Sequence, residues 1–464
     1  MATVALRAPL RELAGGSSEL AVAGGTVGEV LAALEAGYPR LAGWIRDERG
    51  AIREHVSVFV NGERAGRSDR VGEGDRIDIL PSISGGAASV ATLPSPSLWV
   101  DERVDERADE RVELLVGTRK GLVVLRGRRG GPMEVAARAF PGRVVEFAMR
   151  DSRSGTYLAS VTHGQYGPRV FLAEDPAGAW EPTDGPAFPV DAGAAVERVW
   201  VIHAGVEEGV LWAGTAPAAL FRSEDAGRTW SLNRGLWDQP SRSRWQPGAG
   251  GLCLHSICTW PGDPMRMAVG ISAAGVWLTD DGGETWRRGV RGIVARYLPE
   301  EARANAVDLC VHNMHRSPIE PATLYMQFHG GVYRSDDAGE SWVDIGAGLP
   351  SDFGFPAVVD PHDANRMFVI PMNADGDRVT CGARLRVFET RDRGRTWSAR
   401  SDGLPEDDAF FTVLRQAFCH DRRAPLGLYF GAESGEVFGS ADGGVSWISM
   451  ADRLPPILSV RCSS

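Results

Sequence analysis

The second half of the chain repeats one pattern of apolar and polar positions. Pairs of short apolar runs, such as Leu211-Trp212-Ala213-Gly214-Thr215 and Ala219-Leu220-Phe221, lead into a polar octet of the form Ser/Thr-x-Asp-x-Gly-x-Ser/Thr-Trp. The octets are Ser223 to Trp230, Thr279 to Trp286, Ser335 to Trp342, Thr390 to Trp397 and Ser440 to Trp447, beginning 56, 56, 55 and 50 residues apart. Short apolar runs bounded by turn residues predict strands. Strand-rich units at such a period cannot bury their own faces alone, which predicts a propeller or solenoid.

Each octet reads as a turn. An Asp that accepts backbone N–H groups two or three residues on, followed by a Gly free to take positive φ, closes a tight hairpin. The hydroxyls brace it from both sides, and the Trp lays a large apolar plate on the neighbouring sheet. Asp225, Asp281, Asp337, Asp392 and Asp442 are therefore assigned structural roles. The octets resemble the Asp-box (BNR) repeat of sialidase-like propellers, which implies a turn between the third and fourth strands of each blade, away from the ligand face. Ala173-Glu174-Asp175 through Trp180 is a degenerate copy, and Leu114 to Thr118 with Gly121 to Leu125 matches the strand pair that precedes later octets. Seven units result. The first lacks an opening strand and Ile457 to Cys462 is left over, so residues 112–464 are expected to form a seven-bladed β-propeller whose C-terminal strand closes blade one.

Residues 1–86 follow a different pattern. Thr3 to Leu6, His55 to Val60 and Asp75 to Pro81 read as strands, the second ending at an Asn61-Gly62 turn. Thr26 to Glu35 carries a Thr cap, a Glu three residues later, and Val27, Val30, Leu31 and Leu34 on one helical face. The predicted order is ββαβ, ending at Gly85-Gly86. Phe59-Val60-Asn61-Gly62, Gly72-Glu73-Gly74-Asp75-Arg76-Ile77 and the tail Ile79 to Gly86 resemble the MoaD/ThiS-type ubiquitin-like β-grasp sulfur carriers. The resemblance implies that an E1-like enzyme, using ATP in trans, adenylates the terminal glycine carboxylate, which then becomes a thiocarboxylate. Here Gly86 is followed by further chain. Either a processing protease cuts after Gly86 and releases a carrier, or the domain has lost that chemistry and docks a partner. Residues 87–111, Ser- and Pro-bearing and then a charged run of Asp, Glu and Arg, read as an exposed flexible linker.

The fold class expected is thus mainly β: an N-terminal β-grasp α+β domain and a β-propeller. With 464 residues, 43% of them hydrophobic, the chain can bury two cores. A formal charge of −11 without a basic block argues against nucleic acid and anionic membranes as partners. The chain has no apolar run near 18 residues and no signal peptide, and its six Cys lack paired spacing, so a cytoplasmic protein of bacterial type is expected. Lys120 is the only lysine, in keeping with a GC-rich genome, and leaves one side-chain amine for conjugation.

Candidate chemistry centres on the channel. His203, His255 and His312 fall at nearly the same place on the first strand of three consecutive units, with His163, His315 and His329 nearby. Such histidines either satisfy backbone groups at the blade interface or contact a small molecule, glycan or protein ligand. Cys253 with His255, and Cys310 with His312, are two apart and share a sheet face, the geometry of soft and imidazole ligands to zinc or copper; no resident cofactor is otherwise indicated. Sialidase-like catalysis needs an arginine triad and a Tyr/Glu pair, and neither signature is present. Two functions remain: sulfur-carrier or modifier chemistry coupled to a ligand-binding propeller, or a glycosidase of sialidase-like fold with an accessory β-grasp.

Overall fold

The computed structural model describes residues 1–7, 10–53, 56–81, 111–164, 167–248, 250–303, 309–373 and 376–463. The chain divides into two compact units, with the break between Arg111 and Val112. Gly85, Gly86 and the expected linker lie outside the described residues, except that Arg111 opens the strand Arg111–Thr118 and is not linker.

The first unit is a five-stranded sheet in the order Glu19–Val22, Ala2–Leu6, Arg76–Pro81, Val56–Val60, Glu63–Ala65. Ala2–Leu6 and Arg76–Pro81 run parallel in the middle of the sheet, and the other pairings are antiparallel. The helix Val27–Gly37 covers one face, burying Val27, Val30, Leu31 and Leu34. Its start is the predicted capping box: Thr26 Oγ1 accepts the Glu29 N–H at 3.3 Å, and Glu29 Oε2 accepts the Gly25 N–H at 2.7 Å. Asn61 and Gly62 both take positive φ, 49° and 87°, as a two-residue hairpin turn requires. The result is a β-grasp whose strands run ββαβββ around this helix, not the expected ββαβ, with Glu19–Val22 and Glu63–Ala65 beyond the strands the sequence indicated.

The second unit contains, among the described residues, seven four-stranded sheets. Their first strands are Ile457–Cys462, Val144–Arg150, Arg198–Ala204, Cys253–Trp260, Val311–Arg316, Gly354–Val359 and Phe418–His420, and the sheets are numbered one to seven in that order. Each first strand packs against the next, and the strand of sheet seven packs against that of sheet one, so the sheets close in a ring that fits a propeller. Sheet one joins distant parts of the chain: Ile457–Cys462 pairs antiparallel with Arg111–Thr118, with Val460 opposite Val116. Among the described residues no helix is long and apolar enough to cross a membrane.

The octets occupy the turns between third and fourth strands, as in Leu220–Ser223 to Ser231–Leu232. In the first, Asp225 Oδ1 accepts the Thr229 N–H at 2.9 Å and the Ser223 hydroxyl at 2.8 Å, while Oδ2 accepts the Thr229 hydroxyl at 2.7 Å. Ser223 Oγ in turn accepts the Gly227 N–H at 2.9 Å. The same four bonds recur around Asp281, Asp337, Asp392 and Asp442. Each aspartate is fully engaged in holding its own turn. Trp286, Trp342 and Trp397 reach back to the preceding sheet, donating to Asn233 Oδ1, Gly289 O and Ile345 O at 3.0, 3.0 and 2.7 Å.

Arginines add further ties between sheets. Arg366 of sheet six, itself buried, donates to Asp360 at 2.9 Å, to Glu389 at 2.5 Å and to the Gly443 carbonyl of sheet seven at 2.6 Å. Arg153, after sheet two's first strand, donates to the carbonyls of Gly205, Glu207 and Val210 in sheet three at 2.6 to 3.0 Å.

Candidate functional site

A bulge in the first strands decides which side chains meet. In sheets three, four and five the pairing with the second strand slips by one residue, at Trp200, His255 and His312 respectively. His255 and His312 are thus true equivalents, whereas His203 lies three residues past its bulge and pairs like His315, opposite Trp212 as His315 is opposite Tyr325. The expected ring of His203, His255 and His312 does not share one site. A single inserted residue per strand shifts the face a side chain presents.

Two cavities bring the candidate residues together. The first, of about 440 Å³, is bounded by residues from all seven first strands, and so sits on the axis; it takes in His203, His255, His315, His420 and Arg461. The second, of about 320 Å³, is a mouth cavity lined by Tyr297, Cys310, His312, His329, Phe353, Phe355, Arg378 and Arg415. Consecutive residues Arg415 and Gln416 face the two different cavities. That segment is pinned across the ring: Asn313 Nδ2 donates to the Arg415 carbonyl at 2.7 Å, and Gln416 Nε2 donates to the His255 carbonyl at 2.8 Å.

In the axial cavity His255 has a structural part. Its Nε2–H donates to Val311 O at 2.9 Å, its Nδ1 accepts the Ser256 hydroxyl at 3.1 Å, and burial holds its pKa down to about 3. His203 donates from Nδ1 to Ala204 O at 2.7 Å, leaving Nε2 as an acceptor. His420 donates likewise to Asp421 O at 2.5 Å. His315 Nε2 is buried with no hydrogen-bond partner among the described residues. Burial pushes all three pKa values down, that of His315 to about 3 with help from the Arg461 charge. Arg461 is itself brought down to about 10 by burial, and its guanidinium donates to the Gln416 carbonyl at 2.7 Å and lies over the Phe147 ring. Three neutral imidazoles beside one buried guanidinium make an acceptor-rich chamber for a polar ligand. His420 and Arg461 were not among the residues the sequence nominated. The signal was there: His203, His315 and His420 each stand 20 residues before Ser223, Ser335 and Ser440.

The mouth cavity gathers the remaining candidates. His312 is buried, donates from Nδ1 to Gly354 O at 2.6 Å, and packs against the rings of His329, Phe353 and Phe355. Cys310 offers its N–H to Tyr297 Oη at 2.9 Å, and His329 offers its N–H to the Cys310 carbonyl at 3.0 Å. Cys253 is buried nearby, its thiol pKa raised by burial. His163 ends the second strand of sheet two, Tyr157–His163, and lines neither cavity. Among the described residues neither cavity is lined by an Asp or Glu.

Residues 4–86 match the model of the ThiS family. The chain is 31% identical over 90 residues to the sulfur carrier protein CysO of Mycobacterium tuberculosis, covering 18% of this chain and 97% of that protein. The solved complex of BexX and CysO from Amycolatopsis orientalis aligns at 28% identity over 18% of this chain and all of that one, with a TM-score of 0.18. A longer stretch, 217 residues, is 25% identical to an oligoxyloglucan-reducing end-specific xyloglucanase of Emericella nidulans, covering 40% of this chain but only 25% of that protein.

Proposed function

Since the chain belongs to the ThiS family through residues 4–86, we propose that it is a ubiquitin-like sulfur carrier or protein modifier joined to a seven-bladed propeller that binds a small ligand or partner. The observation that carries this reading is the β-grasp sheet itself: Arg76–Pro81 pairs with strands on both sides and runs directly into the residues that end at Gly85-Gly86. In this reading the two units are 1–86 and 112–464, and a cytoplasmic protease frees Gly86. Its carboxylate then attacks the α-phosphate of ATP on an E1-like enzyme, releasing pyrophosphate, and sulfur displaces AMP to give the thiocarboxylate. Two glycines allow the tail to enter a narrow partner site. The propeller would supply the axial chamber, where His203, His315, His420 and Arg461 hold a polar ligand.

The test is the intact mass of the protein from its own host. The reading requires a fragment ending at Gly86, part of it heavier by the exchange of one oxygen for sulfur, and its loss on Gly86→Ala. Finding the full-length form alone, together with failure of the host's E1-like enzyme to adenylate a chain ending at Gly86, would overturn it.

The likeness to a xyloglucanase favours a second reading, a glycan hydrolase with an accessory β-grasp. Such enzymes use two carboxyl groups about 5–10 Å apart; neither of these cavities supplies one from its described lining residues, but a cavity of about 350 Å³ between sheets three and four is lined by Glu207, Asp263, Asp281 and Glu284. Turnover of a glycoside panel by the full chain would decide for this alternative.

A further inference from the structure

Cys310, His312 and His329 converge at one end of sheet five, and we propose that they hold a zinc ion whose fourth coordination position opens into the mouth cavity. One ligand atom from each lies within 4.8 Å of the other two. Neighbouring ligands of a tetrahedral zinc stand ~3.5 Å apart, a difference that small side-chain rotations close. The backbone builds this convergence. Cys310 and His329 flank the end of the hairpin formed by Val311–Arg316 and Leu324–Phe328, held by the hydrogen bond from His329 N–H to Cys310 O at 3.0 Å. The slip of register at His312 sets the third ligand beside them.

The hydrogen bonds favour ligation. His312 gives its Nδ1 proton to Gly354 O, which leaves the Nε2 lone pair free to bind metal; metal-bound histidines are oriented by such a bond. A thiolate with two imidazoles suits zinc or copper and not magnesium or calcium. Binding releases the Cys310 thiol proton to solvent, and the Zn–S bond takes its place. Three protein ligands leave one position open, as in catalytic zinc sites. Arg378 and Arg415 line the same cavity, the latter with its guanidinium 4.6 Å from the Phe355 ring. Neither can ligate a metal, and both carry positive charge, so the group they admit to the open position is anionic, a carboxylate being the smallest that fits their fork geometry. Cys253 and His255 form no matching site, since both His255 ring nitrogens are already engaged. The inference stands apart from the carrier reading, because it concerns only the propeller.

The full chain, expressed with ample zinc and purified without chelator, should carry about one zinc per molecule by elemental analysis. After chelation, Co²⁺ should restore a near-ultraviolet thiolate-to-cobalt band that Cys310→Ser abolishes and Cys253→Ser retains. His329→Ala, at the turn, is the variant to use if Cys310→Ser does not fold, and should weaken zinc binding beyond the roughly 10–100-fold seen on loss of an outer partner. Added acetate should shift the visible cobalt bands, with Arg415→Gln weakening that response. Trace zinc with no cobalt–thiolate band overturns the site, as does a band that survives Cys310→Ser or unchanged affinity in His329→Ala. Visible bands indifferent to saturating acetate overturn the anionic fourth ligand.

Discussion

At the scale of single residues, each octet rests on one carboxylate that must stay ionised. The hydroxyl and N–H of Thr285 hold the pKa of Asp281 down to about 2, and Thr396 does the same for Asp392. A carboxyl whose pKa falls on folding stabilises the protein above its ordinary value and loses that contribution as pH drops through the folded value. The urea midpoint is therefore expected to fall as pH drops from 3.8 towards about 2, and Asp281→Asn to blunt that fall. Asp337→Ala should cost about 1–2 kcal/mol in urea unfolding through donors left without a partner. Its neighbour works the other way. Ala338 sits at φ 66° beside Gly339 at 100°, so Ala338→Gly should raise stability by about 0.5–1 kcal/mol. The Asp, Gly and hydroxyl positions were legible because their bonds are local. The left-handed residue between Asp and Gly is signalled only by Gly282 and Gly443; Ala226, Ala338 and Arg393 at the same place carry no composition signal for it.

At the scale of elements, what the sequence reveals depends on how much of a strand is buried. Val56–Val60 and Arg76–Pro81 stood out by their apolar runs, while Glu19–Val22 and Glu63–Ala65 are short sheet edges, the first alternating over only four residues with Val22 alone buried and the second with no buried side chain. The octets marked where each fourth strand begins, but the register slips at Trp200, His255 and His312 follow from strand pairing and leave no local trace. Aligning units on their octets therefore places His203, His255 and His312 at nearly the same site, although they stand 20, 24 and 23 residues before Ser223, Thr279 and Ser335. Contacts between sheets were equally hidden. Arg366 bridges Asp360, Glu389 and the turn of the next sheet from a buried position. Arg366→Leu takes the arginine from Asp360 and the donor from Gly443 O, while Glu389 keeps Arg391 and Arg400, and should cost about 3 kcal/mol in a denaturation experiment, whereas truncating the exposed Arg453 should change little.

At the scale of the whole molecule, the ring depends on one pairing between residues more than 300 positions apart. Ser463 N–H reaches the Glu113 carbonyl at 3.1 Å beyond the last strand pair, extending the seam between Ile457–Cys462 and Arg111–Thr118. Deleting 457–464 uncovers the inner edge of Arg111–Thr118 and strips the buried Ile457 and Val460 from the core they share with Val116 and Phe430, so the product should aggregate or melt far below the full chain in calorimetry. An equally stable truncated protein would mean that the ring closes otherwise. The same seam also bears on the order of events during synthesis. Sheets two to seven each draw their strands from one continuous stretch and can assemble as they leave the ribosome, but sheet one has to hold its inner edge open until residues 457–462 have been translated. During that interval, the longest wait of any strand pairing in the chain, Arg111–Thr118 is the edge a nascent-chain chaperone would have to guard.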